Sequence, residues 1–286
     1  MDSRSCAGGP LGPGNAGDAS GHSLAEKVAL VTGSTKGIGR AAAIALADAG
    51  ARVLVTGRSD GPGEGTISGT VAEIRRRGGT AIGARCDLRD ASDVARLMET
   101  AHRELGTLDV LVNNAGIFAP GAATWDVPVQ WWDEVFDTNL RATFLTCRLA
   151  LPRMRSRGGS IINMTSLAAE YGFPTGLVDA AYSTSKQAVN RFTLGLAEEV
   201  RGDDIAVNAL SPVRVRSDGV LAGWGEAADL TGYVEPEAIA EVVLFLARQR
   251  GSFTGHIVRR DQFVEGTYRP DGAPALETLF PPRQAL

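Results

Sequence analysis

Lys27-Val28-Ala29-Leu30-Val31-Thr32-Gly33-Ser34-Thr35-Lys36-Gly37-Ile38-Gly39 is the stretch that decides the fold of this chain. Val28 to Thr32 is a short apolar run of the kind that forms a strand buried on both faces. Glycines at 33, 37 and 39 interrupt it, and Ile38 to Ala49 then reads as a small-residue helix ending at Gly50. A strand that turns through glycines into a helix leaves free backbone N–H groups at the helix start, where they favour a phosphate. Such a pattern alone often only caps a helix. Its meaning comes from its place after the first strand of an alternating chain.

The alternation continues through Arg52 to Thr56 as the next strand and a helix containing Val71 to Arg77. A weaker strand covers Thr80 to Arg85, and a helix runs from about Ala91 to Leu105. The strand Val110-Leu111-Val112 leads into Asn113-Asn114-Ala115-Gly116, and a long helix is expected from about Val129 to Arg157. Strand Ser160 to Met164, helix Ala180 to Val200, strand Ala206 to Leu210, helix Pro236 to Ala247 and a last strand at His256-Ile257-Val258 complete the set. Apolar strands alternating with helices imply a parallel sheet covered on both faces, joined by right-handed crossovers. The fold class is therefore α/β, a doubly wound, Rossmann-type sheet in three α/β/α layers. One domain is expected over 26–266. Ligands of such sheets bind beyond the carboxyl ends of the strands.

Residues 1–25, rich in Gly, Pro, Ser, Ala and Asp, bury little and are expected to be disordered. They lack the apolar core of a secretory signal. Residues 267–286 form a proline-bearing tail in which Leu276, Leu279 and Phe280 are candidates for docking. A net charge of −4 from 29 basic and 33 acidic residues gives no basic excess for nucleic acid. No apolar run approaches the ~18 residues of a membrane helix. Three scattered cysteines (Cys6, Cys86, Cys147) fit a reducing compartment, so a cytoplasmic protein is expected. The three histidines have no metal-ligand spacing, and no metal is expected.

The second strand runs Val55-Thr56-Gly57-Arg58-Ser59, with no acid before Asp60. An NAD site usually carries an acid there to hold the ribose 2′-hydroxyl. Arg58 instead offers a planar fork to a 2′-phosphate, and Lys36 adds a second cation from the glycine loop. Each charged contact contributes roughly 1.5–3 kcal/mol, so two favour NADP(H) over NAD(H) by a factor on the order of a hundred.

Tyr182 and Lys186 stand four apart on a predicted helix and so share a face. Reduction of a carbonyl needs a proton donor at oxygen while hydride reaches carbon. A free phenol titrates near about 10, and a neighbouring ammonium is expected to lower that value.

Together with the glycine loop, Asn113-Asn114-Ala115-Gly116, Asn139 in Asp-Thr-Asn-Leu and Ser166 after a strand, this pair gives the chain its resemblance to the short-chain dehydrogenase/reductase family. The resemblance runs from about Lys27 to Val264. It implies that Tyr182 is acid in reduction and base in oxidation, with Lys186 its partner and ribose ligand, Ser166 at the substrate oxygen, and Asn139 in a helix kink holding a proton-relay water. It implies cofactor contacts from Gly33, Ser34, Lys36, Gly37, Ile38, Gly39 and Arg58, from Asp87 at the adenine with Leu88, and from Asn114, Ala115 and Gly116. Asn113 is expected to be structural. Pro212, Val215 and Ser217 would meet the nicotinamide end. The partners implied are a small-molecule carbonyl or alcohol substrate and further copies of the chain, as a homotetramer or homodimer built on the helices at 129–157 and 180–200. An alternative is a non-catalytic NADP-binding redox sensor or scaffold on the same fold.

Two departures from the family pattern stand out. Val213 follows Pro212 where the family usually has glycine, and a β-branched residue resists positive φ, so another backbone path is expected there. Arg214 and Arg216 follow it, reaching toward cofactor or an acidic substrate or lying solvated. The loop Leu167 to Ala181 is about three residues longer than the family's and carries Glu170, Tyr171, Phe173, Leu177 and Val178. The segment Asp218 to Val234 would be a short substrate lid, in which Trp224 either faces the substrate or packs elsewhere. Trp125, Trp131 and Trp132 are expected to be packing residues.

Overall fold

Apolar side chains on alternate sides of each central strand find cover on both sides. In β1 (Val28–Val31), Ala29 and Val31 enter one core cluster while Val28 and Leu30 enter the other. The structure, a computed structural model, describes residues 23–173, 178–225 and 228–268. The remaining strands are β2 (Arg52–Gly57), β3 (Thr80–Arg85), β4 (Val110–Asn113), β5 (Gly159–Met164), β6 (Ile205–Ser211) and β7 (Ile257–Arg259). All pair in parallel, in the order β3-β2-β1-β4-β5-β6-β7.

The helices are α1 (Gly37–Asp48), α2 (Ile67–Arg76), α3 (Ala91–Glu104), α4 (Val129–Phe136), α5 (Ala142–Met154), α6 (Ala180–Glu199), α7 (Asp218–Trp224), α8 (Ala240–Ala247) and α9 (Arg260–Val264). Side chains of α1, α2 and α8 fill the core on one face of the sheet, and those of α3, α5 and α6 fill the core on the other. This is the three-layer, doubly wound Rossmann-type fold. The strand order reverses between β1 and β4, so the loops leaving those strands, 32–37 and 114–117, flank the crevice where such sheets take ligands.

The helix expected over 129–157 is divided. A π turn, Asp137–Arg141, separates α4 from α5, and α5 ends at Met154. The extra residue in that turn rotates Asn139 into the protein, where it is 1% exposed. The helix expected from Pro236 begins as a tight turn, Pro236–Ile239, before α8. Leu177, Leu276, Leu279 and Phe280 lie outside the described residues.

Two further expectations are corrected. Trp125 does not pack, being 87% exposed, and Trp132 is part-exposed and stacks on Phe136. Val213 does not send the backbone along another path: it holds φ at +64°, the left-handed region that glycine would occupy. Its neighbours impose this. Arg260 Nε donates to the Pro212 carbonyl at 3.2 Å, Val234 N donates to the Arg214 carbonyl at 3.0 Å, and Arg216 N donates to the Val234 carbonyl at 2.8 Å. A β-branched residue held there is strained by about 1–2 kcal/mol. Val213→Gly should therefore raise the unfolding free energy by about 1 kcal/mol after the extra chain entropy of glycine is deducted. Urea titration checks this, and an unchanged midpoint would mean that the valine is not strained.

Candidate active site

The loop after β1 is shaped by glycine. Gly33 and Gly37 have φ of +63° and +53°. A Cβ on Gly39 would lie 2.3 Å from the Gly33 carbonyl oxygen and 2.4 Å from Asn114 Nδ2, so α1 can press against the loop only because that atom is missing. The first turn of α1 carries no acid, and Lys36 gives it no side-chain cap, which leaves its N–H groups for an anion. A curved backbone with an uncapped helix start fits the diphosphate of a dinucleotide. Asn114 Nδ2 donates to the carbonyls of Thr32 (2.9 Å) and Gly33 (3.3 Å), so its amide braces the cradle. Ser34 is corrected as a cofactor contact: it is fully buried, its Oγ accepting from Thr56 N at 2.9 Å, and Thr35 lines the cleft in its place.

Arg58 and Lys36 are exposed at the cleft edge, and neither makes an ion pair among the described residues. Asp60, the first acid after β2, is turned away. Its Oδ1 accepts from Gly61 N, Ser68 N and Ser68 Oγ, which holds its carboxyl below the usual range. Asp87 lines the cleft beside Leu88, but its carboxylate is gripped by Arg89 at 2.7 Å and pushed down to about 2. Asn113 is structural. It donates to Asn163 Oδ1 at 2.9 Å and to Cys147 Sγ at 3.3 Å, and accepts from Thr146 Oγ1 at 2.6 Å.

Tyr182 and Lys186 come one turn apart from α6, and Ser166 comes from the end of β5. Ser166 and Tyr182 line the same cleft, and Ser166 Oγ accepts from Ala168 N at 3.2 Å. Lys186 is 4% exposed, its Nζ donating to the Met164 carbonyl at 2.9 Å and lying 5.7 Å from the centre of the Tyr182 ring. Asn139 donates Nδ2 to the Ile117 carbonyl and to Ser185 Oγ, both at 3.0 Å, and accepts from Ile117 N at 2.8 Å. Both Nδ2 protons are thus committed to pinning the strand-end loop, while Oδ1, which accepts one bond, keeps a second acceptor site.

Burial governs both titrating groups. It lowers the Lys186 ammonium to about 8. It also raises the Tyr182 phenol, with Ser166 opposing it and a smaller push from Asp179. The expectation of a lowered phenol is corrected for this state: the ammonium lies beside the ring and bonds to Met164 rather than to the hydroxyl.

One further residue, without a signal of its own chemistry in the sequence, shapes the site. Asp179 caps α6, accepting from Tyr182 N at 2.7 Å, and its second oxygen accepts from Trp131 Nε1 at 2.7 Å. One carboxylate therefore fixes the start of the helix that carries the phenol. An Asp three residues before a helical Tyr is a capping signal that was available in the sequence.

A cleft of about 1330 Å³ joins these parts, lined by Gly33, Arg58, Asn114, Ser166, Tyr182 and Lys186 among others. Ile38, Gly39, Ala115, Gly116, Pro212, Val215 and Ser217 also line it. Among the described residues no His, Cys, Asp and Glu group could hold a metal, and no helix is long and apolar enough to cross a membrane.

A glycine cradle at a sheet's switch point, with a phenol and an amine facing the same cleft, defines a nucleotide-dependent oxidoreductase of the Rossmann class. The family described as short chain dehydrogenase matches residues 27–222. The chain is 37% identical over 265 residues to a 3beta-hydroxysteroid dehydrogenase of Mediterraneibacter gnavus, covering 82% of this chain and 94% of that protein. It is 34% identical over 246 residues to dehydrogenase/reductase SDR family member 4 of Bos taurus, covering 82% and 86%. A dehydrogenase/reductase of Sinorhizobium meliloti superposes with a TM-score of 0.73 at 35% identity, covering 83% and 95%. A structure from Beutenbergia cavernae, described as that of a candidate NAD(P)-dependent gluconate 5-dehydrogenase with NADP at low occupancy, gives 0.74 at 33%, covering 85% and 98%. The chain belongs to the short-chain dehydrogenase/reductase family, and it is an oxidoreductase of that type, a family that binds a nicotinamide cofactor.

The buried amine predicts a pH effect on stability. Lys186 releases its proton near pH 8 in the fold but near about 10.4 in an unfolded chain. Between these values the unfolded state holds more protons, so stability rises with pH. The raised phenol acts in the opposite sense only above about pH 10. Between pH 7.5 and 9.5, cofactor-free protein should gain on the order of 2 kcal/mol relative to Lys186→Met. Urea unfolding of both proteins at the two pH values measures it, and a constant difference would mean that the amine is not desolvated.

Proposed function

We propose that this protein is an NADP(H)-dependent oxidoreductase acting on a small-molecule carbonyl or secondary alcohol in the cytoplasm, with Tyr182 as its acid and base. One observation carries the reading: Ser166 and Tyr182 both line the cleft that begins at the glycine cradle, with the buried Lys186 one turn further along α6. When bound, the nicotinamide of the cofactor supplies or accepts the hydride.

The protein's own residues do the rest. In reduction, the Tyr182 hydroxyl donates its proton to the substrate oxygen as charge develops there, and Ser166 holds that oxygen in line. In oxidation the proton returns to Tyr182. Lys186, whose proton is labile near neutral pH, stands on the same helix to restore it and to hold ribose hydroxyls. Asn139 keeps the chain at 117 in place, and Asp179 keeps Tyr182 at a fixed depth. Gly33, Lys36, Gly37, Ile38 and Gly39 hold the diphosphate. Arg58 and Lys36 take the 2′-phosphate, a role supported by their open guanidinium and ammonium and by the commitment of Asp60 elsewhere. Asp87, Leu88, Asn114, Ala115 and Gly116 line the adenosine side, and Pro212, Val215 and Ser217 the nicotinamide side. A homotetramer or homodimer through α5 and α6 is part of the proposal, supported by Phe144, which is 46% exposed and packs edge-on against Phe192.

Tyr182→Phe keeps the ring and removes the donor, and should lower kcat by about 10²–10⁴-fold with NADPH. Normal turnover by that variant in a stopped-flow assay would end the assignment. Arg58→Asp should shift the NADPH-to-NADH ratio of kcat/KM by about ten- to a hundredfold toward NADH. Identical ratios in the two proteins would remove Arg58 from the cofactor site.

A further inference from the structure

The first turn of α1 has no negative partner of its own. Lys36 gives it no side-chain cap, and none of its residues is acidic. Arg40 N, donating to the Lys36 carbonyl at 3.2 Å, makes the first backbone bond within the helix, so the N–H groups of Gly37, Ile38 and Gly39 come before any intrahelical partner. A negative charge brought to this turn is favoured by the helix dipole.

Such a charge already stands there, and it comes from another element. A Cβ added to Gly37 would lie 3.1 Å from Asp218 Oδ2, 3.4 Å from Ser217 Cβ and 3.7 Å from Asp218 N. The start of α7 therefore sits against the first residue of α1, with a carboxylate oxygen at contact distance. Ser217 fixes this placement as the N-cap of α7: its Oγ accepts from Val220 N at 3.4 Å, and its N donates to the Val215 carbonyl at 2.9 Å. Gly37 and Asp218 both line the cleft. The other acids that line it are engaged. Asp87 and Glu134 face Arg89, Glu170 faces Arg259, and Asp229 accepts from Thr231. Asp218 is exposed, and among the described residues no hydrogen bond or ion pair engages its carboxylate.

We propose that Asp218 is a stand-in anion: its carboxylate rests on the glycine cradle where a diphosphate would lie, and the cofactor binds by driving that charge away. Asp218 thereby sets cofactor affinity and favours release of the spent cofactor. This rests on the dinucleotide reading of the same cradle given above. Like charges roughly 5 Å apart shift an equilibrium by about fourfold at the dielectric of water, and by more as water leaves.

The test uses the full chain and compares Asp218→Asn with wild type by isothermal titration calorimetry at low salt. The probes are NADP+, inorganic pyrophosphate, and adenosine 2′-monophosphate, which carries the base and a 2′-phosphate but no diphosphate. The substitution should tighten NADP+ and pyrophosphate at least about fourfold and leave adenosine 2′-monophosphate unmoved. The gain should shrink in about 1 M KCl, where charge is screened within a few ångströms. Asp218→Glu, which keeps the charge, should bind like wild type. A merely structural role at the start of α7 would produce neither the gain nor its salt dependence. Affinities for NADP+ and pyrophosphate that are unchanged or weaker in Asp218→Asn would overturn the proposal. An equal gain for all three probes would overturn it too, because the charge would then be felt across the whole cleft rather than at the cradle. Tighter pyrophosphate with no NADP+ binding by either protein would uphold Asp218 as the anion of the cradle and sink the dinucleotide reading.

Discussion

Thr32 Oγ1 accepts the backbone N–H of both Asn114 and Ala115, at 2.9 and 3.0 Å, while Asn114 returns its side-chain amide to the Thr32 carbonyl. This exchange ties the ends of β1 and β4, the two strands between which the sheet changes direction. The rest of the site is hung from it. Gly33 can take its left-handed turn, and α1 can begin against that turn, because the neighbouring strand end is held still. On the other side, Gly116 lies where an added Cβ would be 3.2 Å from both Asn139 Oδ1 and Lys186 Nζ. One knot of hydrogen bonds thus sets the nucleotide cradle and the catalytic end in register.

The same economy of space explains the electrostatics. Lys186 is buried, and its Nζ donates to the Met164 carbonyl. A charge with so little solvation is easily discharged, and a phenol in the same place resists ionising. Two groups that each prefer neutrality, lining one cleft, are suited to passing a proton rather than storing a charge. Asp179 adds precision by fixing where α6 starts, through a bond to Tyr182 N and another to Trp131.

Much of this was legible in the sequence because the decisive signals are local. β3 was read at its observed limits, Thr80–Arg85, and the glycines at 33, 37 and 39 were read as a phosphate cradle from their position alone. What stayed hidden depends on contacts between distant residues. That Ser34 faces Thr56 rather than the cleft follows from strand register. That the Asn139 carboxamide braces Ile117 and Ser185 follows from a π turn, which leaves no mark in hydrophobic periodicity. The direction of the Tyr182 shift was misread because a neighbouring cation on the same helix face was weighed without the desolvation that falls on both groups. Val213 differs for a related reason: intrinsic preference opposes the conformation, and three hydrogen bonds, donated by Arg260, Val234 and Arg216, hold it.

That enforced turn at Val213 has a mechanical consequence. A segment whose own torsional preference opposes its setting relaxes as soon as its restraints loosen, so the peptide beside the cleft behaves as a sprung joint. The restraining groups are distant in sequence, on α9 and on the stretch just before Pro236, so the C-terminal part of the chain holds this peptide in place. Glycine at this position would be indifferent to them. Valine makes the setting of that peptide depend on the C-terminal part of the chain.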